Sequence, residues 1–220
     1  MTPAKVGKTL QVLYEKLWQT FGPQGWWPGE TPFEVALGAI LTQNTNWNNV
    51  AKVMERLKAE GRLTAQALMA LPEAELAGLL RPAGYYNLKA HRVKNFLAVL
   101  RDRFQGSMEL MAREDLETLR PLLLEVKGIG PETADSILLY ALNQPTFVVD
   151  TYTFRILNRH HLVPESCTYE ELRRLFMDHL RPDVGLYQEY HALLVRLGKE
   201  FCRPQPKCED CFLQGWPDKF

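Results

Sequence analysis

One stretch near the middle of the chain constrains its fold more than any other: Leu124-Glu125-Val126-Lys127-Gly128-Ile129-Gly130-Pro131-Glu132-Thr133-Ala134. Apolar residues at helical spacing run up to Val126 and resume after Pro131, which predicts two helices joined by a tight turn. Gly128 and Gly130 allow the backbone to turn sharply and to come close to another surface. Pro131 suits a first helical position, and the unpaired N–H groups of a helix start can receive an anionic oxygen. A Gly-x-Gly turn by itself is usually a plain helix connection, so the rest of the chain has to decide.

Nearly every other segment also reads as helix. Residues 6–21 place Val6, Leu10, Leu13, Tyr14, Leu17, Trp18 and Phe21 at helical spacing before Gly22-Pro23. Thr31-Pro32 opens the next helix, with Phe33, Leu37, Ile40 and Leu41 on one face. Helices over 47–60, 64–69, 73–80, 88–104, 115–126, 131–142, 151–159, 169–180 and 184–198 are expected to follow. Pro145-Thr146-Phe147-Val148-Val149 reads as an extended linker, since no partner strand is visible. The expected fold class is all-α.

The 220 residues suffice for one large domain or two small ones with a sizeable core. Equal numbers of basic and acidic residues (26 each) argue against a protein that coats nucleic acid by bulk charge. Two local basic clusters remain, Lys89, His91, Arg92 and Lys94, and Arg155, Arg159, His160 and His161; either could be a solvated helix face. No apolar run is long enough for a membrane span. The N-terminus lacks an apolar signal core, so a cytoplasmic, nucleoid-associated protein is expected.

Asp150 lies twenty residues after Gly130 and would cap a helix beginning at Thr151. The turn and its flanks resemble the helix-hairpin-helix of the HhH-GPD DNA glycosylases related to endonuclease III, and 145–151 resembles that superfamily's loop bearing a catalytic aspartate. The resemblance implies a base-excision-repair enzyme acting on double-stranded DNA. It assigns Asp150 to stabilise positive charge on the sugar as the glycosidic bond breaks. Lys127, Gly128, Ile129 and Gly130 become DNA-binding positions. Where bifunctional members carry a Schiff-base lysine, this chain has Glu132, which has no amine; the implied enzyme is therefore monofunctional, hydrolysing with water.

Leu41-Thr42-Gln43-Asn44-Thr45 is similar to the family loop whose glutamine fills the hole left by a flipped base, so Gln43 and Asn44 join the DNA-binding set. Gly84-Tyr85-Tyr86-Asn87-Leu88-Lys89-Ala90 resembles a second segment near the DNA, although Tyr85 and Tyr86 could equally be core residues. Trp26-Trp27-Pro28 and Trp47 resemble the 3-methyladenine DNA glycosylase III branch, where aromatics at these places form the base pocket. An electron-rich indole face suits an alkylated, often cationic purine. Packing alone could also explain the tryptophans.

Cys202, Cys208 and Cys211, spaced C-x5-C-x2-C, resemble the iron–sulfur loop of endonuclease III relatives, with Pro217 where a fourth cysteine is expected. A [4Fe-4S] cluster completed by Asp218 or a non-protein ligand is the favoured reading; zinc, or no metal, stays open. Together these imply a two-lobed fold. Residues 30–148 form a central domain with the hairpin at 119–142. Residues 1–29 with 149–220 form the second domain, including the metal loop at 202–218. The hairpin, Gln43 and Asp150 are expected to line the cleft between them in a monomer. An oxidised-pyrimidine enzyme with weak lyase activity, or a non-catalytic lesion-binding protein, remains the alternative.

Overall fold

The computed structural model describes residues 3–26 and 29–217. In chain order its α-helices are α1 (Pro3–Phe21), α2 (Pro32–Leu41), α3 (Trp47–Ala59), α4 (Ala65–Ala70), α5 (Glu73–Leu79), α6 (Tyr86–Phe104), α7 (Met108–Met111), α8 (Leu116–Glu125), α9 (Pro131–Ser136), α10 (Thr151–Arg159), α11 (Tyr169–Met177) and α12 (Val184–Glu200). A 3-10 turn, Arg81–Ala83, precedes α6, and a π-helical turn, Ile137–Ala141, continues α9. No strand occurs among the described residues, as the periodicity predicts. None of the helices is long and apolar enough to cross a membrane, again among the described residues.

The chain divides into two compact units, Trp27–Gln144 and Met1–Trp26 with Pro145–Phe220. In the first, α2 is the central element. Thr31 caps it, its side chain accepting from Glu34 N, with Pro32 in the first turn. Every residue from Phe33 to Leu41 except Glu34 is buried, because α3, α6, α9 and the π turn all pack on it. A helix apolar on all sides belongs in the middle of a domain.

In the second unit, α12 packs on both α1 and α10. Leu10, Leu13 and Leu17 of α1 are buried, Tyr14 meets Tyr190 edge-on, and Tyr190 in turn meets Phe147, which stacks on Phe176 with ring centroids 3.8 Å apart. Tyr190 is wholly buried, and its hydroxyl donates to Leu10 O at 2.8 Å. The 145–149 segment is non-helical as expected, yet Phe147, Val148 and Val149 are buried, so this linker is part of the core.

Several boundaries differ from the sequence reading. Helix α6 begins at Tyr86 rather than 88, because Gly84 and Tyr85 both take left-handed backbone angles that start it early. The helix after the hairpin does not run regularly to 142. It widens after Ser136, with Leu142 N–H bonding Ile137 O and Gln144 N–H bonding Leu138 O. The short α7, capped by Ser107, was not expected.

Candidate active site

In the helix-hairpin-helix, α8 and α9 are tied by a pair one would not read from the turn itself. Arg120 donates from Nε to Asp135 Oδ1 (2.8 Å) and from its terminal nitrogen to Oδ2 (3.1 Å), and Asp135 is fully buried. Between the helices Ile129 is buried and its N–H bonds Val126 O at 2.9 Å. Its side chain anchors the turn and its N–H is spent there. Lys127, Gly128 and Gly130 stay exposed.

The two glycines are not equivalent. Gly128 has φ +96°, and a Cβ there would lie 3.0 Å from Arg92 Cδ and closer still to Cγ. Gly130 has φ −90° and ψ 177°, ordinary extended geometry, with nothing within 4 Å of a Cβ position. Conformation demands glycine at 128, whereas at 130 the glycine leaves open space beside the turn.

Gln43 belongs to the same cluster. Its Nε2 donates to Gly128 O (3.1 Å) and Thr133 Oγ1 (2.8 Å), and its Oε1 accepts from Arg92. The amide is thus held against the hairpin from both ends. Asn44, next in the loop, is exposed with φ +54°. Tyr85 is 69% exposed at φ +45°, an uncommon conformation for an aromatic residue. Tyr85 is therefore a surface ring rather than core packing, and a ring so displayed can stack on a base.

Neither basic cluster forms an open cationic face. Lys89 is buried with its Nζ on Ala83 O, and burial, with Arg92 nearby, lowers its pKa to about 8. Lys94 serves the carbonyls of Leu68, Met69 and Leu71, which end α4. In the other unit Arg155 bonds Cys202 O, and Arg159 bonds the carbonyls of Arg203 and Pro204. The second cluster holds the C-terminal segment.

Asp150 is the N-cap of α10, as the sequence suggested. Its Oδ1 accepts from Thr153 N (2.7 Å) and Thr153 Oγ1 (2.9 Å). Its Oδ2 faces His191 Nε2 on α12 at 3.5 Å. Burial pushes the carboxyl upward, but His191 and the Thr153 hydrogen bonds outweigh it and hold Asp150 below the usual range. A buried carboxylate kept ionised can stabilise a developing cation.

Trp26 is half-buried, with Lys199 Nζ 5.2 Å from its ring centroid. Trp47 opens α3 behind the Asn46 cap and is half-buried too. Trp27 lies outside the described residues, as does Asp218. Glu132 sits in the exposed first turn of α9.

Among the described residues no group of His, Cys, Asp or Glu is placed to hold a metal ion. Cys202, Cys208 and Cys211 are free; Cys208 is exposed, burial pushes the Cys211 thiol up, and Cys202 Sγ accepts from Arg159 at 3.4 Å. These three thiols are the described part of the expected ligand set; Asp218, read as its fourth member, lies outside the described residues. Protein contacts hold the segment: the arginine–carbonyl bonds, edge-on packing of Phe212 on Phe21 and Phe201, and buried Leu213.

His191, Thr133 and the Arg120–Asp135 pair escaped the sequence reading, and Arg92 entered it only as one member of a basic cluster. A histidine at the head of the apolar run Ala192-Leu193-Leu194-Val195 was the one available signal.

Comparison with known proteins agrees with this architecture. The chain is 45% identical over 201 residues to a provisionally named DNA repair glycosylase of Methanocaldococcus jannaschii, covering 90% of this chain and 91% of the relative. It is 31% identical over 189 residues to an endonuclease III of Thermotoga maritima, covering 84% and 81%. The crystal structure of H. pylori 3-methyladenine DNA glycosylase bound to 1,N6-ethenoadenine superposes with a TM-score of 0.71 at 29% identity, over 90% of this chain and 98% of that one. The sequence pattern of the HhH-GPD superfamily base excision DNA repair proteins matches residues 37–182, and the chain belongs to that superfamily.

Proposed function

We propose that this base-excision-repair glycosylase is monofunctional and removes alkylated purines from duplex DNA by hydrolysis, acting as a monomer in the compartment that holds the DNA. The observation that carries the reading is Asp150, a buried carboxylate held ionised by His191 and Thr153, in a chain with Glu132 where a Schiff-base amine would be needed. As the bond between C1′ and the base nitrogen breaks, its electron pair leaves with the base and the sugar becomes cationic. Asp150 stabilises that charge, water bonds to C1′ and gives up one proton to solvent, and an abasic site remains. An alkylated purine has a weak glycosidic bond and needs little acid catalysis.

In the other unit, Gly128 and Gly130 offer the duplex an exposed turn, and Gln43 supplies the amide that fills the vacated space once it leaves Gly128 and Thr133. The likeness to a 3-methyladenine glycosylase supports the alkylpurine preference, with Trp26, Trp27 and Trp47 as the base-pocket aromatics. Asp150→Asn is the direct test. Loss of base release with duplex binding retained supports the reading. An Asp150→Asn enzyme that releases bases at the wild-type rate overturns it.

A further inference from the structure

Asp150 is divided between two tasks. Its Oδ1 is committed to the start of α10, taking both the N–H and the hydroxyl of Thr153. Only Oδ2 is left to face a substrate, and His191 Nε2 stands 3.5 Å from it. The Asp150 and His191 side chains are 10% and 6% exposed, so little water reaches either group. On α12 His191 is 5% exposed, and its chain neighbours Tyr190, Ala192, Leu193 and Leu194 are buried as well. A leucine would fill such a place without a polar atom to satisfy.

The backbone is built to bring the two side chains together. Helices α10 and α12 pack directly, and Gly198 makes the approach possible: a Cβ there would lie 2.7 Å from Tyr152 Cβ and nearer to its ring. Among the described residues His191 is the titratable side chain that acts on Asp150, and Thr153 is its other partner. From α11, the Tyr169 hydroxyl accepts from the neighbouring Val149 N–H at 3.4 Å.

We propose that His191 is a positioning residue for base release, its Nε2–H holding the Oδ2 edge of Asp150 toward the developing sugar cation. The inference rests on the glycosylase reading and assigns its acid-side limit to one residue. Facing an acceptor, the imidazole carries its proton on Nε2. Without that donor, burial dominates, the carboxyl takes up a proton at higher pH, and a neutral acid stabilises no cation. The effect is confined to the acid side: once Asp150 ionises, catalysis returns.

The test compares wild type with His191→Met, which keeps the volume but loses the donor, and His191→Gln, which restores one. Single-turnover release of 7-methylguanine from a duplex is followed against pH, and the Asp150 carboxyl is titrated by 13C NMR in the free protein, with Asp150→Asn for assignment. In His191→Met the acid limb and the carboxyl titration should both move up by about one unit or more, cutting release roughly tenfold on the acid side and little above the new limb. His191→Gln should move both back. An equal loss at every pH with an unmoved titration would make His191 purely structural and overturn the proposal. If His191→Met does not fold, the ring-nitrogen shifts of wild type decide, since an Nε2 without a proton also overturns it. Absence of release in wild type would refute the glycosylase reading, while the carboxyl titration would still judge the pair.

Discussion

Substituting alanine at each hairpin glycine separates folding from binding. At Gly128 the cost has two parts. An L-residue held at φ +96° is strained by about 1–3 kcal/mol. The new methyl also collides with the Arg92 stem, which has to move and release Gln43 Oε1, a charge-assisted bond of about 1.5–3 kcal/mol when lost. Arg92 can recover part of this in water, so a net loss of about 2–4 kcal/mol is expected. For a chain of this size that lowers Tm by roughly 5–15 °C. At Gly130 neither part applies: the backbone is extended and no atom lies within 4 Å of the Cβ position, so stability should change by less than about 0.5 kcal/mol. The open space there is where a phosphate would approach, so Gly130→Ala should still weaken duplex binding. Calorimetry and fluorescence anisotropy with a labelled duplex measure both. Equal Tm losses for the two variants, or full binding by Gly130→Ala, would refute the assignment.

Two further substitutions test the interior. Arg120→Ala leaves the buried Asp135 carboxylate without its guanidinium and should cost about 3–5 kcal/mol by urea denaturation; a loss under 1 kcal/mol would show that the pair does not brace the hairpin. Lys89 has a pKa of about 8 in the folded protein, below its unfolded value, so over that interval the unfolded chain binds more protons. Stability should therefore rise as pH climbs from about 8 toward 10, on top of any other titrations, and the rise should shrink in Lys89→Met. An identical slope in that variant would contradict the assignment.

What the sequence revealed was local. Thr31 before Pro32, Asp150 before Thr151 and the apolar spacing of 6–21 each act within a turn or two of helix, and each appears where expected. What it concealed depended on partners far away in the chain. Arg92 looked like one of four surface cations until it met Gln43, forty-nine residues earlier. Arg155 and Arg159 looked like a basic patch, yet their hydrogen bonds end on carbonyls more than forty residues downstream. The two glycines were alike as letters and differ in φ and in what a Cβ would meet. His191 faces Asp150 across the α10–α12 contact, forty-one residues away in the chain, which no local pattern reveals. Spacing of Cys202, Cys208 and Cys211 invited a metal reading that the placement of the described side chains does not meet.

The most direct measurement incubates the purified protein with duplexes containing 3-methyladenine, 7-methylguanine or thymine glycol and splits each sample with and without hot alkali. Strand breaks at the methylated purines that appear only after alkali are the predicted result, since hydrolysis leaves an intact abasic strand. Breaks at thymine glycol without alkali would contradict the account, because they require some other amine of this chain to serve as the lyase in place of Glu132.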